Sequence, residues 1–260
     1  MKTTRLIGSV AVILAASILL GACDEGSNNS TSSATTTNQA SSSSSQREPF
    51  VWPGKNNKAT VSSNLTASNY MIVYDGSGSM SDSAPTCGIN TSKHQEGLKA
   101  VKEFVKAIPS DANIGLYVFD RNGEGVRVPL GLDTVNRDKV LQGLNDVRPG
   151  SGTPLGDSLK AGYKVLTLQA QKQLGYGRYS LVVVTDGAAD SASYLAKMVN
   201  YIVDNSPIEI HAIGFCLGEG HTLNQKGRTF YTSAQSPEDL LKSLKGVLAE
   251  TNDADTEFSK

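Results

Sequence analysis

From about residue 69 onward, short apolar runs alternate with stretches of helical spacing. Tyr70-Met71-Ile72-Val73-Tyr74 is a continuous apolar run, the pattern of a strand buried on both faces. Lys93 to Ile108 then places Leu98, Val101, Phe104, Val105 and Ile108 on one side of a helix. Strands are expected at Ile114–Phe119 and, shorter, at Val126–Leu130, with a helix at Arg137–Val147 carrying Val140, Leu141 and Leu144. A helix over Leu155–Gln173 precedes Ser180-Leu181-Val182-Val183-Val184-Thr185, the most apolar strand. A helix at Ser193–Val203 and strands at Ile208–Phe215 and Thr229–Thr232 follow. Ser236-Pro237-Glu238-Asp239 starts the last helix with a cap, a proline at the first helical position and an acid in the first turn. Leu240, Leu241, Leu244, Val247 and Leu248 form its buried stripe.

This order predicts an α/β fold, a doubly wound and mostly parallel central sheet flanked by helices on both faces. One domain is expected over residues 66–251, followed by a frayed polar tail at 252–260; its roughly 185 residues suffice for a substantial core. No internal repeat is visible.

The first residues read differently. Lys2 and Arg5 supply a positive start, and Leu6 to Leu20 is an uncharged, mostly apolar run. Its length falls short of the ~20 residues of a membrane anchor, so residues 1–22 read as a secretory signal. The closing Leu20-Gly21-Ala22-Cys23 resembles the lipobox of bacterial lipoproteins. That resemblance implies cleavage before Cys23, lipid on its sulfur and acylation of the new amino terminus, which together anchor a chain stably. The protein is then expected in a bacterial cell envelope, held on a membrane and facing periplasm or exterior. Asp24, directly after the acylated cysteine, resembles the inner-membrane retention signal of enterobacterial lipoproteins.

Residues 23–65 form a lead-in. Ser30 to Ser45 contains only Ser, Thr, Ala, Asn and Gln, with five consecutive serines, too polar to offset the entropy of ordering and therefore a tether. Phe50-Val51-Trp52-Pro53, with the single tryptophan, is an apolar cluster expected to dock on the domain edge, a partner-binding patch being the other reading.

Charge excludes one class of partner. The 260 residues hold 24 basic and 25 acidic side chains, and without the first 22 the balance is 22 to 25. No basic block occurs, so nucleic-acid binding is not expected. With Cys23 assigned to lipid, Cys87 and Cys216 remain, an even number that in an oxidising envelope suggests a disulfide, the alternative being two unrelated thiols.

Candidate chemistry lies where ligands bind in such sheets, beyond the carboxyl ends of strands near the switch in strand order. Asp75-Gly76-Ser77-Gly78-Ser79-Met80 ends the first strand and Thr185-Asp186-Gly187 ends the strand at 180–185. Between them lies Pro149-Gly150-Ser151-Gly152-Thr153-Pro154-Leu155, a glycine-rich loop ahead of a helix. All of these offer oxygen donors, which suit Mg²⁺, Mn²⁺ or Ca²⁺ better than zinc or copper. Gly76 and Gly78 are expected to let the loop curl through left-handed or strained conformations. Asp190 reads as a helix-start acid, a metal ligand being the other reading.

Asp75-x-Ser77-x-Ser79, then Thr153, then Asp186 resemble, in order and in strand context, the metal-ion-dependent adhesion site of von Willebrand factor A-type domains, which have a Rossmann-like fold. The resemblance implies that Ser77 and Ser79 bind the cation directly and that Thr153 does so in the ligand-engaged form. It implies that Asp75 and Asp186 act largely through water, and that an open position takes an acidic residue of a protein partner. The function so implied is divalent-cation-dependent protein binding, for adhesion or scaffolding, without catalysis.

The rivals lack key residues. A dinucleotide loop would need a third glycine where Ser81 stands, and Asp75 would repel a pyrophosphate. A metal-dependent phosphoesterase of the haloacid dehalogenase type would carry an acid where Ser77 stands, and a serine hydrolase would need G-x-S-x-G with a histidine base. His94, His211 and His221 read as structural or solvated. A structural envelope protein with a vestigial metal site is the remaining alternative.

Overall fold

The computed structural model describes residues 51–257 except 133, and no side chain beyond 249. The secretory signal, Cys23, Asp24, the serine-rich tether and Phe50 lie outside the described residues. Six strands form one sheet: β1 (Ser68–Asp75), β2 (Asn113–Asp120), β3 (Gly123–Gly131), β4 (Arg178–Thr185), β5 (Glu209–Phe215) and β6 (Phe230–Ala234). Their order is β3-β2-β1-β4-β5-β6. All neighbours pair in parallel except β2 and β3. The sequence pattern left the direction of β3 open. Asp120 and Gly123 pair across a turn of two residues, Arg121 and Asn122, which permits only antiparallel return, since a parallel one needs a long crossover. Buried Asp120 ties that turn, accepting from the Asn122 N–H at 2.8 Å and from Arg127 Nη2 at 2.9 Å.

Both faces of β1 are covered, as its unbroken apolar run requires. Tyr70, Ile72 and Tyr74 join the core packed by α1 (Lys93–Ala107), α2 (Thr134–Asn145) and α5 (Pro237–Glu257). Met71 and Val73 point the other way, toward α3 (Leu155–Lys172) and α4 (Ala192–Asn205). Helix α5 continues to Glu257, past the expected domain edge at 251. Among the described residues no helix is long and apolar enough to cross a membrane.

The chain runs outward from β1 to β2 and β3, then returns through α3 to β4 on the other side. The switch in strand order therefore lies between β1 and β4, with a crevice beyond their carboxyl ends.

The opposite pole is closed by a buried amide network. Asn69 Nδ2 lies 2.7 Å from Arg178 O and 2.8 Å from Gln173 Oε1, and Asn113 Nδ2 donates to Asn69 Oδ1 at 2.8 Å. Replacing Asn69 by alanine leaves buried Gln173 and Asn113 short of partners. The Asn69→Ala variant is expected to lose about 1–3 kcal/mol in urea-induced unfolding.

The lead-in docks at this pole. Trp52 sits edge-on to Tyr179 with ring centroids 5.0 Å apart, and its Nε1–H donates to Thr167 Oγ1 at 3.2 Å. Ser62 N–H donates to Lys172 O at 2.8 Å, at the end of α3. Within the described part of the cluster, Trp52 docks on the domain while Val51 is exposed.

Candidate metal centre at the sheet switch point

Strands β1 and β4 end side by side, and their polar terminations meet. Asp75, fully buried, spends both oxygens on orientation: Oδ1 accepts the Ser77 N–H at 2.7 Å and Oδ2 accepts the Thr185 hydroxyl at 2.6 Å. The first bond curls the chain so that Ser77 leads into a short 3₁₀ turn over Gly78–Ser81. Ser77 and Ser79 hydroxyls then stand 3.1 Å apart, and Ser79 Oγ donates to Asp186 Oδ1 at 2.8 Å.

Thr153 arrives from the loop ahead of α3, whose backbone is bonded to the first loop. Gly78 N–H donates to Ser151 O at 3.1 Å and Gly150 N–H to Gly76 O at 2.8 Å. A methyl placed on Gly187 would lie 3.5 Å from Ser79 Oγ and 3.6 Å from Thr153 Oγ1, so both hydroxyls flank the same small space. All five expected residues, Asp75, Ser77, Ser79, Thr153 and Asp186, thus line one cradle. Its donors are three hydroxyls and two carboxylates; among the described residues no cluster of three or more His, Cys, Asp or Glu side chains is placed to hold a metal.

The glycines work differently from expectation. Neither Gly76 nor Gly78 is left-handed; that conformation falls on Ser151, with φ of 76°. Gly76 is needed for space, since an added Cβ would stand 2.8 Å from Phe119 O, Asp120 Cβ and Val147 Cγ1.

The electrostatics suit a hard cation. Burial is the main reason the Asp75 carboxyl is raised to about 6; the Asp186 charge adds to it, and the bonds from Ser77 and Thr185 oppose it. Asp75 and Asp186 are two buried carboxylates beside three hydroxyls, only partly offset by the Lys93 ammonium on Asp186, and a nearby dication favours their ionised forms.

Three contributors escaped the sequence reading. Thr185 orients Asp75, as given above. Asp190, read as a helix-start acid, instead holds the Thr153 loop: its Oδ1 accepts the Thr153 N–H at 2.8 Å, and its own N–H donates to Thr153 O at 3.0 Å. Lys93 places its ammonium on Asp186 Oδ2, which otherwise has no hydrogen-bond partner among the described residues. The spacing Asp186–Asp190 was visible, but no local pattern says that a side chain will cross to another loop.

His221 braces the rim. Its Nδ1 accepts the Leu223 N–H at 3.2 Å, so Nε2 carries the proton and donates to Gly187 O at 3.0 Å. Burial holds its pKa below the ordinary value. His94 meets the Tyr74 hydroxyl at 3.1 Å, and His211 is buried against Phe230 with rings 4.7 Å apart.

Cys87 and Cys216 are brought together on the same rim, both as free thiols, so the expected bridge is not formed in this state. Burial first, then the neighbouring Cys87 thiol, pushes the Cys216 thiol up to about 12.

Residues 70–188 match the sequence model of the von Willebrand factor type A domain. No curated protein matches the chain. Solved structures share its fold at low identity. The pilus adhesin SpaC from Lactobacillus rhamnosus GG is 17% identical over 74% of this chain and 31% of its own, with a TM-score of 0.58. The von Willebrand factor domain of the type V pilus tip protein Mfa5 from Porphyromonas gingivalis is 12% identical over 73% of this chain and 96% of its own, at 0.57. Proximal thread matrix protein 1 from the mussel byssus, with a zinc-occupied MIDAS motif, is 16% identical over 73% of this chain and 48% of its own, at 0.55. This chain thus spans less than half of SpaC and of the mussel protein.

Proposed function

We propose, from the match of residues 70–188 to the von Willebrand factor type A model, that the chain is a divalent-cation-dependent protein-binding module, an adhesin or scaffold displayed on a bacterial membrane as a lipoprotein. The observation that carries this reading is the convergence of Asp75, Ser77, Ser79, Thr153 and Asp186 on one cradle at the sheet switch point. Mg²⁺, with Mn²⁺ or Ca²⁺ as alternatives, would be held by the hydroxyls of Ser77, Ser79 and Thr153, with Asp75 and Asp186 supporting. When bound, the cation supplies positive charge that attracts an acidic side chain of the partner. The chain's own residues do the rest: Asp75 and Asp190 fix the two loops, and the surrounding rim supplies the contact area on which affinity depends.

Adhesin and matrix-protein neighbours support a binding role. Catalysis finds little support beside the cradle, where both His221 nitrogens are engaged. Trp52 packs where the strands begin, at the pole opposite the cradle. Display gives the rim thiols a setting in which Cys87 and Cys216 can pair.

A second reading, a structural envelope protein whose site no longer takes a cation, is favoured by one observation, the Lys93 ammonium already seated on Asp186. Crosslinked pull-downs from envelope fractions separate the two. The full lipidated chain is expected to capture its partner in Mg²⁺, and to lose it in EDTA and in Asp186→Ala. An identical captured set with and without EDTA would favour the structural role.

A further inference from the structure

We propose that Lys93 sets the strength of the cation site: its charge weakens divalent-cation binding and, once a cation is bound, strengthens the pull on a partner carboxylate. The inference deepens the proposed function and rests on it.

Lys93 stands in an unfavourable place for a cation. It is the first residue of α1, directly after the Ser92 cap, where the helix dipole disfavours positive charge. It is also withdrawn from water, with a side chain 12% exposed, whereas a lysine on a solvated face would extend outward. Both costs are met by one contact, the Asp186 carboxylate, whose side chain is 0% exposed. The Lys93 N–H donates to Asp82 O at 2.9 Å, which ties the start of α1 to the loop that follows the two serines.

Asp186 is therefore divided between two demands. Its Oδ1 accepts the Ser79 hydroxyl and belongs to the cradle, while Oδ2 faces Lys93. With Asp75, the immediate charge is two carboxylates and one ammonium, a net of one negative. Without Lys93 a dication would meet two uncompensated carboxylates and bind more tightly, and the loaded site would be neutral. With Lys93 the loaded site keeps a net positive charge, which an incoming carboxylate neutralises. In the cation-free protein the same ammonium keeps Asp186 from being a buried, unpaired charge. Lys93 thus trades cation affinity for stability when empty and for attraction when loaded.

The test is a titration of the full chain in detergent with Mn²⁺ and with Mg²⁺, by calorimetry and by thermal shift from an EDTA baseline. It compares the parent with Lys93→Gln, which removes the charge, and Lys93→Arg, which keeps it. Lys93→Gln is expected to lower the Kd for Mn²⁺ about tenfold or more, and to melt at a lower temperature in EDTA. Lys93→Arg is expected to stay near the parent. Should Lys93→Gln fail to fold, Lys93→Met, which keeps the apolar stem, carries the same comparison. A parent that binds cation with an unchanged or weaker Kd in the uncharged variant overturns the role of Lys93 and leaves the cradle reading intact. Binding by the uncharged variant alone supports it, and binding by neither overturns both.

Discussion

Mg²⁺ or Mn²⁺ at about a hundred times its Kd is expected to raise the melting temperature of the purified protein by roughly 5–10 °C, and Asp75→Asn is expected to abolish the response. Binding to the folded state alone stabilises by ~2.7 kcal/mol at that excess. Asp75 is the residue on which the response turns, because its two oxygens bend the loop through Ser77 and join β1 to β4 through Thr185. Asparagine keeps an acceptor for one of these donors, so the fold survives while the charge is lost. Alanine leaves the Ser77 N–H and the Thr185 hydroxyl without acceptors, at a cost of ~1–3 kcal/mol for each buried group. Asp75→Ala therefore falls in stability even in EDTA, whereas Asp75→Asn separates folding from cation binding. An undiminished shift in Asp75→Asn would remove the cradle from the account.

Gly76→Ala should be the most damaging small substitution at the site. The added methyl meets Phe119 O, a backbone atom that cannot rotate away, as well as Asp120 and Val147. The Gly76 N–H donates to that same carbonyl at 2.9 Å, and Gly76 O accepts the Gly150 N–H, so any retreat strains both loops. Overpacking of this kind costs about 1–3 kcal/mol, and the displaced loop carries Ser77 and Ser79, so the cation response should disappear with it. Gly78→Ala is the control: its methyl would meet only Ser151 O at 3.7 Å. Chemical denaturation and cation thermal shifts on the two variants measure both effects. Equal behaviour of the pair would show that crowding at Gly76 does not govern the site.

Much of this molecule is readable from its order of residues. Continuous apolar runs mark strands covered on both faces, and Tyr70–Tyr74 and Leu181–Val184 do lie at the centre of the sheet, buried throughout. The five cradle residues were legible because each follows a strand or precedes a helix, and parallel sheets collect such positions at one edge. The direction of β3 was not legible from apolar spacing, since its pattern is mostly exposed and only Val128 is buried. The glycine roles were misassigned for a related reason. A glycine required for a left-handed turn and one required by a neighbour's backbone look the same in a sequence.

What the sequence alone determined is the alternation of elements and the identity of the cradle's oxygen donors, because periodicity and residue type are local properties. Only the tertiary structure decided how the donors are held and charged. Asp190 crosses to the Thr153 loop, Thr185 reaches Asp75, and Lys93 on α1 meets Asp186 after β4. Each of these contacts joins residues far apart in the chain, and their strength comes from burial, which only the packed sheet and helices create.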